Sequence, residues 1–177
     1  MIDVTQNRAA QKWTPREKLG RILWAMARSV FRLIPRPLWS LRVWLLRSFG
    51  AKIGKQVHIY PTVRISIPWN LNIGDQVAIG ERAILYALGP IKIGSRSVIS
   101  QYSHLCAGSH DYRDPAFPLL KTPIAIGADV WVCAQSFIGP GVEIGEGAII
   151  GACSVVMKNV PARVVGSGNP FKIRKSR

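Results

Sequence analysis

The chain has 177 residues, 48% of them hydrophobic, which suits one domain with a core of ordinary size. Its net charge of +15 would suggest nucleic acid if it were evenly spread. It is gathered instead at the two ends, residues 1–52 and 172–177, and the near-neutral body between them argues against nucleic acid as a partner.

Residues 1–14 are polar and read as a loose arm. Thr14 and Pro15 then form the N-cap and first position of a helix. Its period places Leu19, Ile22, Leu23, Met26, Val30, Leu33 and Ile34 on one face. Lys18, Arg21, Arg28 and Arg32 fall opposite, with Trp24 and Phe31 at the boundary. Pro35 and Pro37 end it. A second helix runs from about Leu38 to Phe49, apolar on most sides, with Arg42 and Arg47 as its charged positions and Gly50 closing it. Arginines interrupt both apolar stretches, so neither reads as a signal peptide or a membrane span. Two readings stay open: a cap on the end of the following domain, or an amphipathic basic anchor on anionic lipid.

From Ile53 onward the chain repeats every six residues. The clearest run is Ile126, Val132, Ile138, Ile144, Ile150 and Val156, with glycine following at Gly127, Gly139, Gly145 and Gly151. The same phase holds through Ile53, Ile59, Ile65, Ile73, Ile79, Leu85, Ile93, Ile99 and Leu105. It slips by two after Ile65 and after Leu85. A period of six is neither that of a lone strand nor that of a helix; it is the hexapeptide rule of a β-helix, three blocks to a coil. The slips mark corner insertions, one of them PWNL at 68–71. Three cysteines, Cys106, Cys133 and Cys153, lie inside the repeats at no zinc-motif spacing and read as reduced, buried structural thiols in a reducing compartment.

The rule fails between Cys106 and Ile124, so residues 107–123 form an excursion loop. It carries His110, within Gly108-Ser109-His110-Asp111. Loops on a rigid scaffold often supply catalytic groups, and imidazole exchanges protons near neutral pH. Turn chemistry alone would also explain Gly, Ser and Asp here. His58 and His104 each precede an inward aliphatic residue and face outward. The chain thus divides into residues 1–52, an arm and basic helices; 53–157, the β-helix; and 158–177, an extended basic tail.

These features resemble the hexapeptide-repeat acyltransferases, most closely the colanic-acid-biosynthesis acetyltransferases and related sugar O-acetyltransferases. The resemblance spans roughly residues 38–175 and rests on LLRSFGAKIG (45–54), PWNLNIGD (68–75), GSHDYRDPAFPL (108–119), VWV (130–132), GPGVEIG (139–145), IIGACSVV (149–156) and GNPFK (168–172). It implies a mainly β fold, a left-handed parallel β-helix, and acetyl transfer from acetyl-CoA to a sugar hydroxyl in surface-polysaccharide synthesis, without a metal. His110 falls at the family's catalytic histidine, with Asp111 orienting it or holding the loop. Trp131, Ala134, Ala152, Lys172 and Lys175 fall along the family's acetyl-CoA groove between subunits of a homotrimer. Met157 stands where threonine is usual. The asparagine of galactoside-type acceptor sites has no counterpart near Gly80 and Glu81, which leaves Glu81, Arg82 and Tyr86 as acceptor contacts and points to a sugar, free or lipid-linked, other than a simple free galactoside or maltose. The expected location is the cytoplasm, with a peripheral position at the inner membrane face open to the basic helices. A non-catalytic assembly or docking module is the competing reading. A zinc-dependent γ-type carbonic anhydrase would need three convergent histidines.

Overall fold

A computed structural model describes residues 3–177; Met1 and Ile2, part of the expected arm, lie outside the described residues. Each hexapeptide forms a strand of two or three residues and a turn, and the strands stack into three parallel faces. The first face stacks Lys52–Ile53, Leu71–Ile73, Ile91–Ile93, Ile124–Ile126 and Glu143–Ile144. The second begins at His58–Ile59 and includes Val98–Ile99, Trp131–Val132 and Ile149–Ile150. The third holds Arg64–Ile65, Ile84–Tyr86, His104–Cys106, Phe137–Ile138 and Val155–Val156. The phase-setting aliphatics from Ile53 to Val156 all point inward and form one continuous core. Both phase slips fall at the corner between the third and first faces, where Pro68–Asn70 makes a short 3-10 turn.

The repeat glycines serve close approach rather than unusual dihedrals. A Cβ on Gly94 would stand 2.4 Å from the Ala128 nitrogen of the next coil. Left-handed corners fall instead on other residues, such as Gln135 at φ 60° and Cys153 at φ 57°. That corner geometry turns Cys153 outward, so it is exposed, contrary to the expected buried thiol, while Cys106 and Cys133 are half-buried.

The end of the stack near the N-terminus is closed by a helix pair, α2 (Pro15–Leu33) and α3 (Trp39–Ser48), that follows the short α1 (Val4–Ala9). In later coils a backbone N–H from the coil before satisfies the inward-residue carbonyl; Gly54, Tyr60 and Ser66 donate in this way to Ile73, Ile79 and Leu85. The first coil has no predecessor. Its three corresponding carbonyls take side-chain donors from the helices: Arg47 to Ile53 O, Arg42 to Ile59 O and Trp24 to Ile65 O. The pair therefore does the hydrogen-bonding work of a missing coil.

Two features of the pair were not set by the sequence pattern. Arg42 is fully buried: besides Ile59 it donates to the carbonyls of Ile34, Pro35 and Arg36, in the link that follows α2. And α2 does not dock by its aliphatic face. A narrow stripe of Gly20, Trp24, Ala27 and Phe31 meets the solenoid, because the indole must reach Ile65 O and the missing side chain of Gly20 admits Trp69. Ile34, just beyond the helix, is buried, but Leu19, Ile22, Leu23, Met26, Val30 and Leu33 stay exposed.

The arm is not loose over its described part. Asp3 caps α1, and Trp13 lies between Arg21 and Lys121. At the other end Val164–Ser167 extends the second face, and Lys172–Ser176 folds back antiparallel along it with all five residues exposed.

Candidate active site

The excursion loop leaves the corner between the third and first faces as a small antiparallel hairpin, Ser109–His110 against Leu119–Leu120. Its tip is a turn in which the Asp114 carboxylate accepts from Ala116 N and Phe117 N–H donates to Asp114 O. This turn holds Phe117 at φ 48°, a left-handed conformation that side chains disfavour. There its carbonyl accepts from His110 Nδ1 at 2.8 Å, and its ring stacks on the imidazole with centroids 4.3 Å apart and planes 4° from parallel.

A carbonyl can only accept, so Nδ1 carries the hydrogen, and the neutral ring keeps its lone pair on Nε2. The Asp111 carboxylate is occupied within the loop, accepting from Arg113 N at 2.9 Å. Asn7 Nδ2 donates to the same Phe117 carbonyl, and Asp3 N donates to Pro115 O at 2.7 Å, so α1 braces the turn.

The residues assigned to acetyl-CoA gather on the second face and its corner with the third. Trp131, Ile149, Val165 and Lys175 are successive register partners, spanning roughly 14 Å at ordinary strand spacing. Trp131 is exposed and its Nε1 donates to Ser100. Ala134 and Ala152 stack at the adjoining corner, where Cys153 N donates to Ala134 O. Lys172 lies on the same terminal strand as Lys175. Within one chain this strip lies across the prism from the corner that bears His110.

The acceptor candidates separate. Tyr86 pairs with Cys106 on the third face, one strand from the base of the hairpin, and lines a groove of about 580 Å³ with Lys18, Arg21 and Arg28. Glu81 and Arg82 sit at the corner between the second and third faces, Arg82 donating to the Tyr102 hydroxyl, and one chain does not bring them to His110.

Sequence reasoning missed Phe117 and Asn7. Phe117 belonged to a quoted family segment but carried no chemical signal, since its backbone does the work. Asn7 lies 110 residues from its partner. His104, set aside as outward, is wedged edge-on between Tyr86 and Phe137, where burial holds its pKa below the usual imidazole range and Nε2 finds no partner. His58 is exposed and stacks on Trp39. The three histidines thus occupy separate places in the chain, and among the described residues no cluster of three His, Cys, Asp or Glu could hold a metal ion.

Comparison with known proteins agrees with this architecture. The family model described as bacterial transferase hexapeptide (six repeats) matches residues 123–158. WcaF of Escherichia coli K12, named for acetyl transfer in colanic acid biosynthesis, is 46% identical over 157 residues, covering 89% of this chain and 86% of WcaF. The chain belongs to the hexapeptide-repeat acetyltransferases. Galactoside O-acetyltransferase of E. coli K12 is a more distant relative, 28% identical over 132 residues, with 73% of this chain and 65% of that protein covered. A crystal structure of a family member from Vibrio cholerae superposes with a TM-score of 0.84 at 25% identity, covering 92% of this chain and 93% of that one. The same Vibrio protein in complex with acetyl-CoA gives a TM-score of 0.69 at 20% identity, covering 94% and 91%. This acyltransferase fold is the left-handed parallel β-helix.

Proposed function

We propose that this acetyltransferase moves an acetyl group from acetyl-CoA to a sugar hydroxyl in surface-polysaccharide synthesis, with His110 as general base. The observation that carries the reading is the bond from His110 Nδ1–H to Phe117 O, which fixes the tautomer and leaves a basic Nε2. Nε2 takes the proton from the acceptor hydroxyl as its oxygen attacks the thioester carbonyl. When the carbon–sulfur bond breaks, the imidazolium returns that proton to the departing thiolate. A base so placed contributes about 10²–10⁴-fold in rate. The relatives' names support the substrate class: colanic acid biosynthesis for WcaF and galactoside for the more distant enzyme.

The acetyl-CoA strip runs from Trp131 over Ala134 and Ala152 to Lys172 and Lys175, where small corner residues leave room for the pantetheine arm and two ammonium groups meet phosphate. Because His110 lies across the prism, one subunit's hairpin works beside the neighbour's strip in a homotrimer. Asp111 holds the hairpin in shape, Tyr86 contacts the acceptor, and Glu81 and Arg82 reach it only from a neighbouring subunit. The acceptor is a sugar, free or lipid-linked, and the enzyme works in the cytoplasm.

The test is thiol release from acetyl-CoA with a panel of nucleotide-linked and lipid-linked sugars. His110→Ala lowers turnover at least a hundredfold and keeps acetyl-CoA affinity. Light scattering gives three times the 19.5 kDa chain mass for wild type and variant alike. Near-wild-type turnover in His110→Ala refutes the mechanism, and a fully active monomer refutes the shared site.

A further inference from the structure

The helix pair leaves an apolar surface that the solenoid does not use. Along α2, Leu19, Ile22, Leu23, Met26, Val30 and Leu33 are 48–81% exposed, and on α3 Leu41 and Trp44 are 43% and 62% exposed. The two rows adjoin: Leu19 and Leu23 border one hollow with Ser48, Phe49 and Gly50, and Ser48 lies one turn beyond Trp44 on the same face of α3. Scattered exposed aliphatics are ordinary, but a row of this length on neighbouring helices marks an interaction surface.

The charge around it selects the partner. Arg16, Lys18, Arg21, Arg28 and Arg32 are exposed along α2, and the helix's single acid, Glu17, is bound back to Thr14 in a capping box. At a helical period Arg16 and Lys18 flank the aliphatic row on its two sides, while Arg21, Arg28 and Arg32 lie farther round the helix toward the third face, where Lys18, Arg21 and Arg28 border the groove with Ser66 and Tyr86. A second copy mating through this face would bring two arginine-rich rims together. An anionic lipid leaflet offers hydrocarbon to the row and phosphate to the rim, and long basic side chains reach headgroup level from such a position. Among the described residues no helix is long and apolar enough to cross a membrane, so contact of this kind is peripheral.

We infer that the α2–α3 surface is a docking face for an anionic lipid bilayer, α2 lying in the interface with its aliphatic row in the hydrocarbon. The inference stands on the helix pair alone and is independent of the acetyl acceptor. It differs from a cap that incidentally carries charge: Trp24, Phe31, Arg42 and Arg47 close the solenoid, and a separate set of side chains meets lipid.

Flotation with phosphatidylcholine vesicles containing roughly 30 mol% phosphatidylglycerol, which supply the anionic surface, tests it. Wild type floats at low salt, floats less at high salt, and stays behind with pure phosphatidylcholine. Ile22→Gln/Met26→Gln/Leu33→Gln removes apolar depth without touching the packed stripe, and Arg21→Gln/Arg28→Gln/Arg32→Gln removes charge. Each lowers partitioning on the order of tenfold or more, with an unchanged melting temperature. Wild type that ignores the anionic vesicles at low salt overturns the inference, as do variants that float like wild type. A drop in oligomeric state in the Gln variants, seen by light scattering, overturns it too, since the face would then belong to a second copy.

Discussion

Arg42→Met isolates what the helix pair contributes to the stack. Methionine keeps most of the apolar stem but removes four donated hydrogen bonds, to Ile59 O at 2.9 Å, Ile34 O at 2.8 Å, Pro35 O at 2.9 Å and Arg36 O at 2.9 Å. The Pro35 and Arg36 carbonyls lie in part-buried bonds, where water can replace the guanidinium. The Ile59 and Ile34 bonds are buried. Leaving each of these two acceptors open costs about 1–3 kcal/mol. Against that stands relief of the desolvation that lowers the Arg42 pKa. The balance is a loss of about 2–4 kcal/mol, which for a chain of this size lowers the melting temperature by roughly 5–15 °C. Thermal melts followed by circular dichroism at fixed protein concentration measure it, since oligomer stability depends on concentration. A shift under about 2 °C, less than 1 kcal/mol at this size, would show that the first coil does not need its carbonyl capped.

Other outcomes follow from the site. Asn7→Ala removes the brace on the Phe117 carbonyl, and kcat falls severalfold while the KM for acetyl-CoA holds; Asn7→Asp, which cannot donate, behaves like Ala, and equal losses in kcat and thermal stability would mark a merely structural role. Cys153 is exposed beside Ala152, whereas burial raises the thiol pKa of Cys106 and Cys133. Iodoacetamide near neutral pH therefore modifies Cys153 first, read by mass spectrometry. Saturating CoA slows that reaction, and unchanged labelling with CoA present would move the groove elsewhere.

The six-residue period by itself specified three stacked faces, the inward aliphatics and the two insertions at one corner. Each strand's inward position is set by its neighbours in sequence, so the pattern is complete without long-range information. The break in that pattern equally marked the excursion loop and placed His110 in it. Thr14 with Pro15 at one end and Pro35 with Pro37 at the other bounded α2, because caps act within one turn. What the chain's own order left open was decided by contacts distant in sequence. A helical wheel identifies the most aliphatic face, but α2 docks by the stripe whose indole reaches Ile65 O and whose glycine admits Trp69. Arg42 reads only as a charged position of the second helix until the first coil's unpaired carbonyl is seen above it. The tautomer of His110 depends on the backbone of Phe117, and the brace on Phe117 on an asparagine 110 residues earlier. Hydrogen-bond demand at the open end of the stack and at the hairpin's turn is a property of the folded backbone, so only the tertiary structure could assign which side chains meet it.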